Sequence, residues 1–164
     1  MTQPPRQDKN GSSAGPNASR PQSRPAPTYN NGYSSAYLAK GYYTDDSKKQ
    51  IRREIIVEDA ERIAHALFSK KMTSTTLYRF FNILRVAYDQ LQADKKRDFR
   101  AVVNKIDILE PEAKKAVQRD VAPHMFFNFI RDNVRLARQG EENLRAFLRH
   151  YQSVICYFPE NKKN

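Results

Sequence analysis

The chain has no tryptophan, a single cysteine (Cys156), and only one glycine, Gly140, beyond residue 41. One thiol excludes an internal disulfide framework and agrees with a reducing compartment. So few glycines exclude a phosphate-cradling Gly-rich loop from most of the chain. No apolar run approaches the ~18 residues of a membrane span. Residues 1–20 also lack the apolar core of a secretory signal. The expectation is a soluble, cytoplasmic protein with no membrane partner. The three histidines, His65, His124 and His150, have no carboxylate or thiol at ligand spacing. The acids lie scattered among Lys and Arg, as on solvated helix faces, and form no metal-binding pair. No catalytic constellation, metal or cofactor is therefore expected. Cys156 reads as a core residue on the last helix.

Acid is also scarce relative to base. The 164 residues carry 29 Lys+Arg against 18 Asp+Glu, a net charge of +11. Residues 1–48 hold six basic and three acidic side chains, and the rest of the excess belongs to residues 49–164. A folded body this basic attracts polyanions, and nucleic acid heads the partners, ahead of an anionic membrane.

Prolines and glycines crowd into one end: six of nine prolines and four of five glycines fall in the first 41 residues. Such a segment buries too little surface to offset its ordering entropy, so residues 1–48 are expected to be a disordered tail. Tyr29, Tyr33, Tyr37, Tyr42 and Tyr43 in that tail would stack on bases, or would be no more than parts of a linker. Residues 160–164 are read as a disordered C-terminus. Between them, residues 49–159 read as an all-α bundle of five or six helices, because apolar residues recur at helical spacing and nowhere alternate as in a strand.

Ile51, Ile55, Ile63 and Leu67 form the first stripe. Thr73 or Ser74 then caps a helix bearing Leu77, Phe80, Phe81, Leu84 and Leu91. Phe99, Val102 and Ile106 mark a third helix. Pro111, between Glu110 and Glu112, opens a fourth that runs through Ala113 and Ala116 to Val121. Pro123 ends or kinks that helix, and Phe126, Ile130 and Val134 make the next, with Gly140 as its stop. Leu144, Phe147, Tyr151 and Val154 make the last.

Three basic groups stand out. Lys70 and Lys71 precede the Thr/Ser cap, where free helix amides favour phosphate, although a capped turn with two solvated lysines has the same appearance. Lys115 and Arg119 are one helical turn apart, with Lys114 adjacent. Arg131, Arg135 and Arg138 form a stripe on the Phe126 helix, which snorkelling arginines would also produce. Arg85, seven residues from Tyr78, extends the surface. Contacts of this kind give affinity and salt dependence without sequence information.

Three landmarks carry a family resemblance. Met72-Thr-Ser-Thr-Thr-Leu-Tyr-Arg-Phe-Phe-Asn82 resembles the Leu-Thr-Thr-Ser-Gln-Ile-Arg-Lys-Phe-Tyr-Asn stretch of the small subunit of the type III-A CRISPR (Csm) effector complex. Leu109-Glu110-Pro111 followed by Arg119 resembles that family's Leu-x-Pro segment and its arginine. The run from Leu144 through Phe147, Tyr151 and Ile155 to Tyr157 is similar to its final helix. The order and spacing match over about residues 50–158. The chain departs where Tyr78 replaces the usual arginine, with Arg79 one place later. It departs again where Lys115 replaces a tyrosine and Gln152-Ser153 a Glu-Ala.

The resemblance implies a helical, non-catalytic subunit stacked in several copies beside the backbone subunit and in company with the large subunit. It also implies a role holding target RNA in the guide–target duplex region. Lys70, Lys71, Arg79, Arg85, Lys115, Arg119, Arg131 and Arg135 are the expected RNA contacts. A helical protein-interaction adaptor with incidental RNA affinity, or a type III-B small subunit, is the alternative.

Overall fold

A computed structural model describes residues 33–160. A 3-10 turn, Ser35–Leu38, precedes α1 (Arg53–Ile56), α2 (Glu58–Ser69), α3 (Ser74–Ala93), α4 (Phe99–Asp107), α5 (Leu109–Gln118), α6 (His124–Ala137) and α7 (Glu141–Tyr157). The expected all-α bundle is thus observed. Among the described residues the sole β pairing is an isolated antiparallel bridge between Tyr43 and Ile51.

Helix boundaries follow local chemistry. Thr73 caps α3, its hydroxyl accepting from the Thr76 N–H at 3.3 Å. Asp98 caps α4 in the same way through the Arg100 N–H at 3.0 Å. Pro111 and its flanking glutamates occupy the first turn of α5, where a missing N–H costs nothing. The helix expected from Ile51 to Leu67 is divided instead. Val57, at φ −111° and ψ −79°, separates the single turn α1 from α2, and Ile51 belongs to the bridge with Tyr43.

Two helix stops depart from the expected residue types. After α2, the Lys71 N–H reaches Phe68 O at 3.0 Å and the Met72 N–H reaches Leu67 O at 3.1 Å. After α5, the Asp120 and Val121 N–H groups bond Val117 O and Ala116 O, both at 3.0 Å. Both are Schellman motifs, with Lys71 (φ 64°) and Asp120 (φ 56°) in the left-handed position that glycine usually fills. Hence α5 ends before Val121, which is exposed. Gly140, expected as the stop of α6, is extended at φ 165° and stands at the N-cap of α7.

Helix α7 packs against α2, α3 and α6, and its stripe of Leu144, Phe147, Tyr151 and Val154 is fully buried. Phe129 of α6 meets Phe126, Phe147 and Tyr151 at ring separations of 5.5–6.3 Å, and Phe80 of α3 lies edge-on to Phe126 at 4.9 Å. Each such ring contributes roughly 1.5–3 kcal/mol by leaving water. Cys156, expected in the core, is exposed. It lies two residues beyond Val154, about 200° round the helix from the buried stripe.

The expected tail boundary at residue 48 is also corrected. Residues 33–48 lie against the bundle, and Tyr42 is 1% exposed. Its hydroxyl donates to Asn133 Oδ1 at 2.7 Å, and Tyr43 donates to Glu142 O at 2.5 Å. Arg52 binds the strap from behind, donating to Tyr37 O at 2.6 Å and Gly41 O at 3.0 Å. The tyrosines at 37, 42 and 43 therefore serve packing and hydrogen bonding, and Tyr33 packs edge-on to Tyr37 and Phe129, rather than stacking on bases. Composition misses this because aromatic rings in polar company still bury well against another element. Tyr29, the rest of the expected tail at residues 1–32, and residues 161–164 lie outside the described residues.

Candidate nucleic-acid interface

Helices α3 and α5 enclose a cleft of ≈ 210 Å³ lined by Thr75, Thr76, Arg79, Glu112, Lys115 and Arg119. Three expected contacts, Arg79, Lys115 and Arg119, are brought together there from positions up to 40 residues apart in sequence. The first turn of α3 supplies Thr75 and Thr76, so two hydroxyls stand beside the positive end of a twenty-residue helix. Its first amides have no intrahelical partner, and such a terminus favours an anion. Arg79 pairs with Glu112 across the cleft at 3.2 Å, and both are partly exposed. Exposed pairs of this sort are worth little, so a phosphate can displace Glu112 from Arg79 at small cost. Chemically the cleft offers three cations and two hydroxyls against one carboxylate.

The other expected contacts are dispersed. Lys70 and Lys71 are exposed at the end of α2, where Lys71 also provides the helix stop. Arg85 is exposed on α3, six residues beyond Arg79 and thus about 120° away round the helix. The Arg131–Arg135–Arg138 stripe is split. Arg138 pairs with Asp107 of α4 at 3.1 Å, and Arg135 is exposed. Arg131 is half-buried, its Nε donating to Asp132 Oδ1 at 2.9 Å. That hydrogen bond raises the Arg131 pKa above its ordinary value. The Asp132 carboxylate is buried, and Arg131 is the cation that neutralises it. Arg131 also lies over the Phe127 ring at 5.7 Å, with Lys114 over the same ring at 5.3 Å.

Sequence reasoning passed over a second basic surface. A groove of ≈ 720 Å³ between α7 and residues 49–57 carries Lys49, Arg145 and Arg149. The spacing of Arg145 and Arg149, one turn apart, is the signal that could have found it. An apolar hollow between α3 and α4 was also not foreseen. It includes Ile83, Val86 and Ile108, the last two 48% and 51% exposed. Among the described residues, no three His, Cys, Asp or Glu side chains converge to hold a metal ion. None of the described helices is long and apolar enough to cross a membrane.

A family model described as Csm2 Type III-A matches residues 50–164. No curated protein and no solved structure gives a significant match.

Proposed function

The chain belongs to the Csm2 type III-A family and is thus a small subunit of a type III-A CRISPR (Csm) complex that has further subunits; from that premise we propose that it holds target RNA by its phosphates, without catalysis. The observation that carries this reading is the convergence of Arg79, Lys115 and Arg119 beside the first turn of α3. Cations and hydroxyls lining one cleft bind a phosphate chain of any sequence, and base choice is left to pairing with the guide. The setting of this activity is the cytoplasm. Its partners are the guide–target region of the RNA, the backbone and large subunits, and further copies of this chain. Arg131 is better assigned to neutralising Asp132 than to RNA, while Lys70, Lys71, Arg85 and Arg135 lie outside the cleft as secondary contacts.

The test is fluorescence anisotropy with an unstructured RNA over a salt series, comparing wild type with Lys115→Glu/Arg119→Glu. These side chains are exposed, so circular dichroism should show an unchanged fold. Losing two phosphate contacts should lower the slope of log K against log salt by roughly 1.4 and weaken binding at least about tenfold. Equal affinity and slope in both proteins would overturn the cleft as the RNA site.

The hollow at Ile83, Val86 and Ile108 supports a protein contact on another face, since half-exposed apolar side chains grouped together favour a partner surface. Another subunit of the complex is its proposed occupant. Val86→Lys/Ile108→Lys should leave RNA affinity within about twofold of wild type or raise it slightly. It should also weaken co-assembly with the remaining purified Csm subunits by at least about tenfold, as loss of a buried apolar anchor does. Unimpaired assembly would exclude the hollow as a subunit interface.

A further inference from the structure

The groove between α7 and residues 49–57 differs from the α3–α5 cleft in one respect that matters. Lys49, Arg145 and Arg149 line it, and no carboxylate does. Among the described residues none of these three cations enters an ion pair. By contrast, Arg53, Arg62, Arg79, Arg97, Arg131 and Arg138 all have acidic partners. Among the described residues the groove cations are therefore left without a direct ion pair, and Glu142 acts on Arg145 only through its charge.

Its shape suits a strand. The wall runs along α7 from Arg145 to Tyr157, about 18 Å at 1.5 Å per residue, which is long enough for several nucleotides. Arg145 and Arg149 stand one turn apart along it, followed by the neutral Gln152 and by Ser153, whose hydroxyl donates to Arg149 O at 3.1 Å and is left to accept. The half-buried Tyr157 ring closes the wall, and Ile51 and Ile56 form an apolar floor. Arg145 also lies near the Tyr43 phenol, which raises its pKa. Cations for phosphates, neutral polar groups for sugar hydroxyls and a ring for a base are the parts of a sequence-tolerant single-strand site. The groove shares neither a residue nor a helix with the cleft.

We infer that this groove is a second track for single-stranded nucleic acid, so that one subunit engages a strand on two separate surfaces. The inference rests on the RNA-holding reading and extends it to a surface that the reading does not use.

Cys156 provides the test, because it is the chain's sole cysteine, is exposed, and lines the groove. The rate of its alkylation by iodoacetamide is read by intact mass, with and without oligouridylate, on the full chain. Wild type, Lys115→Glu/Arg119→Glu and Arg145→Glu/Arg149→Glu are compared, with anisotropy run in parallel. Arg145 touches Tyr43, so Lys49→Glu/Arg149→Glu replaces the groove variant if circular dichroism shows that it misfolds.

The expected result is protection by RNA of at least about tenfold at saturation in wild type and in the cleft variant, falling below about twofold in the groove variant. Protection without any RNA binding at the cleft would sustain the groove and remove the cleft reading. RNA bound with no protection of Cys156 would remove the groove and leave the cleft reading intact. Protection lost only in the cleft variant would also remove it, since the shielding strand would then lie in the cleft. Protection by poly-L-glutamate but not by RNA would overturn the track as well, and would make the groove a dock for an acidic protein segment.

Discussion

Asn133→Leu should destabilise the protein by about 2–4 kcal/mol, the cost of stranding two or more buried polar groups. Asn133 is fully buried on α6 and ties that helix to the segment carrying Tyr37 and Tyr42. Its Nδ2 donates to Phe129 O at 2.8 Å and to the Tyr37 hydroxyl at 3.0 Å, and its Oδ1 accepts from Tyr42 at 2.7 Å. Leucine matches the volume but offers neither donor nor acceptor. The Tyr42 hydroxyl, itself buried, then keeps only the weak 3.4 Å approach to Asn133 O. Tyr42→Phe alone should cost about 1 kcal/mol, and the double variant less than the sum of the singles, because no orphaned partner remains. Urea denaturation of the four proteins measures the cycle. Strict additivity would mean that the Tyr42–Asn133 bond contributes nothing. The same variants should speed proteolysis between Thr44 and Gln50, since the strap is held to the bundle by these groups.

The second large effect is on acid stability. His150 is fully buried on α7, with Nδ1 facing Ile55 O at 2.7 Å and Nε2 facing the Tyr37 hydroxyl at 3.1 Å. The carbonyl requires a proton on Nδ1, which leaves Nε2 to accept from Tyr37. Tyr37 in turn accepts from Asn133, and the chain of bonds closes on a neutral imidazole. Burial opposes the charged form, with nearby Arg62 adding to it, so the His150 pKa is pushed down to about 4. The unfolded chain binds this proton near pH 6.5 and the folded chain only near pH 4. Stability is therefore complete above pH 6.5 and is lost as pH falls toward 4. The loss from this one group is on the order of 3 kcal/mol. Urea midpoints should decline over that range in wild type. His150→Gln should be less stable at pH 7 but distinctly flatter between pH 6.5 and 4. Parallel curves for the two proteins would show that another group controls acid unfolding.

The candidate cleft was partly legible in the sequence. Lys115 and Arg119 are marked by a local feature, the Pro-opened helix, whereas Arg79 is marked only by the family resemblance. That Glu112 would stand opposite Arg79, and that Arg85 would turn away from it, depends on how α3 lies against α5. Arg131 shows the opposite failure. As part of an i, i+4, i+7 stripe it resembled a phosphate contact, yet its neighbour Asp132 is buried and requires it. Nothing in the spacing distinguishes a buried aspartate from a solvated one.

The sequence by itself determined the helical class, a cap at Thr73 or Ser74, the core stripes of α3, α6 and α7, and the basic character of the whole. All of these follow from periodicity, propensity and composition, which act over one or two turns of chain. Only the tertiary structure decided that Tyr33 to Lys48 pack as a strap, that Lys71 and Asp120 stop helices without glycine, and that Cys156 faces outward. It also decided that Arg145 and Arg149 of α7 meet Lys49 across a groove. These outcomes turn on which surfaces meet, and burial against a distant element can repay a left-handed lysine or an ordered polar segment that local preference alone would forbid.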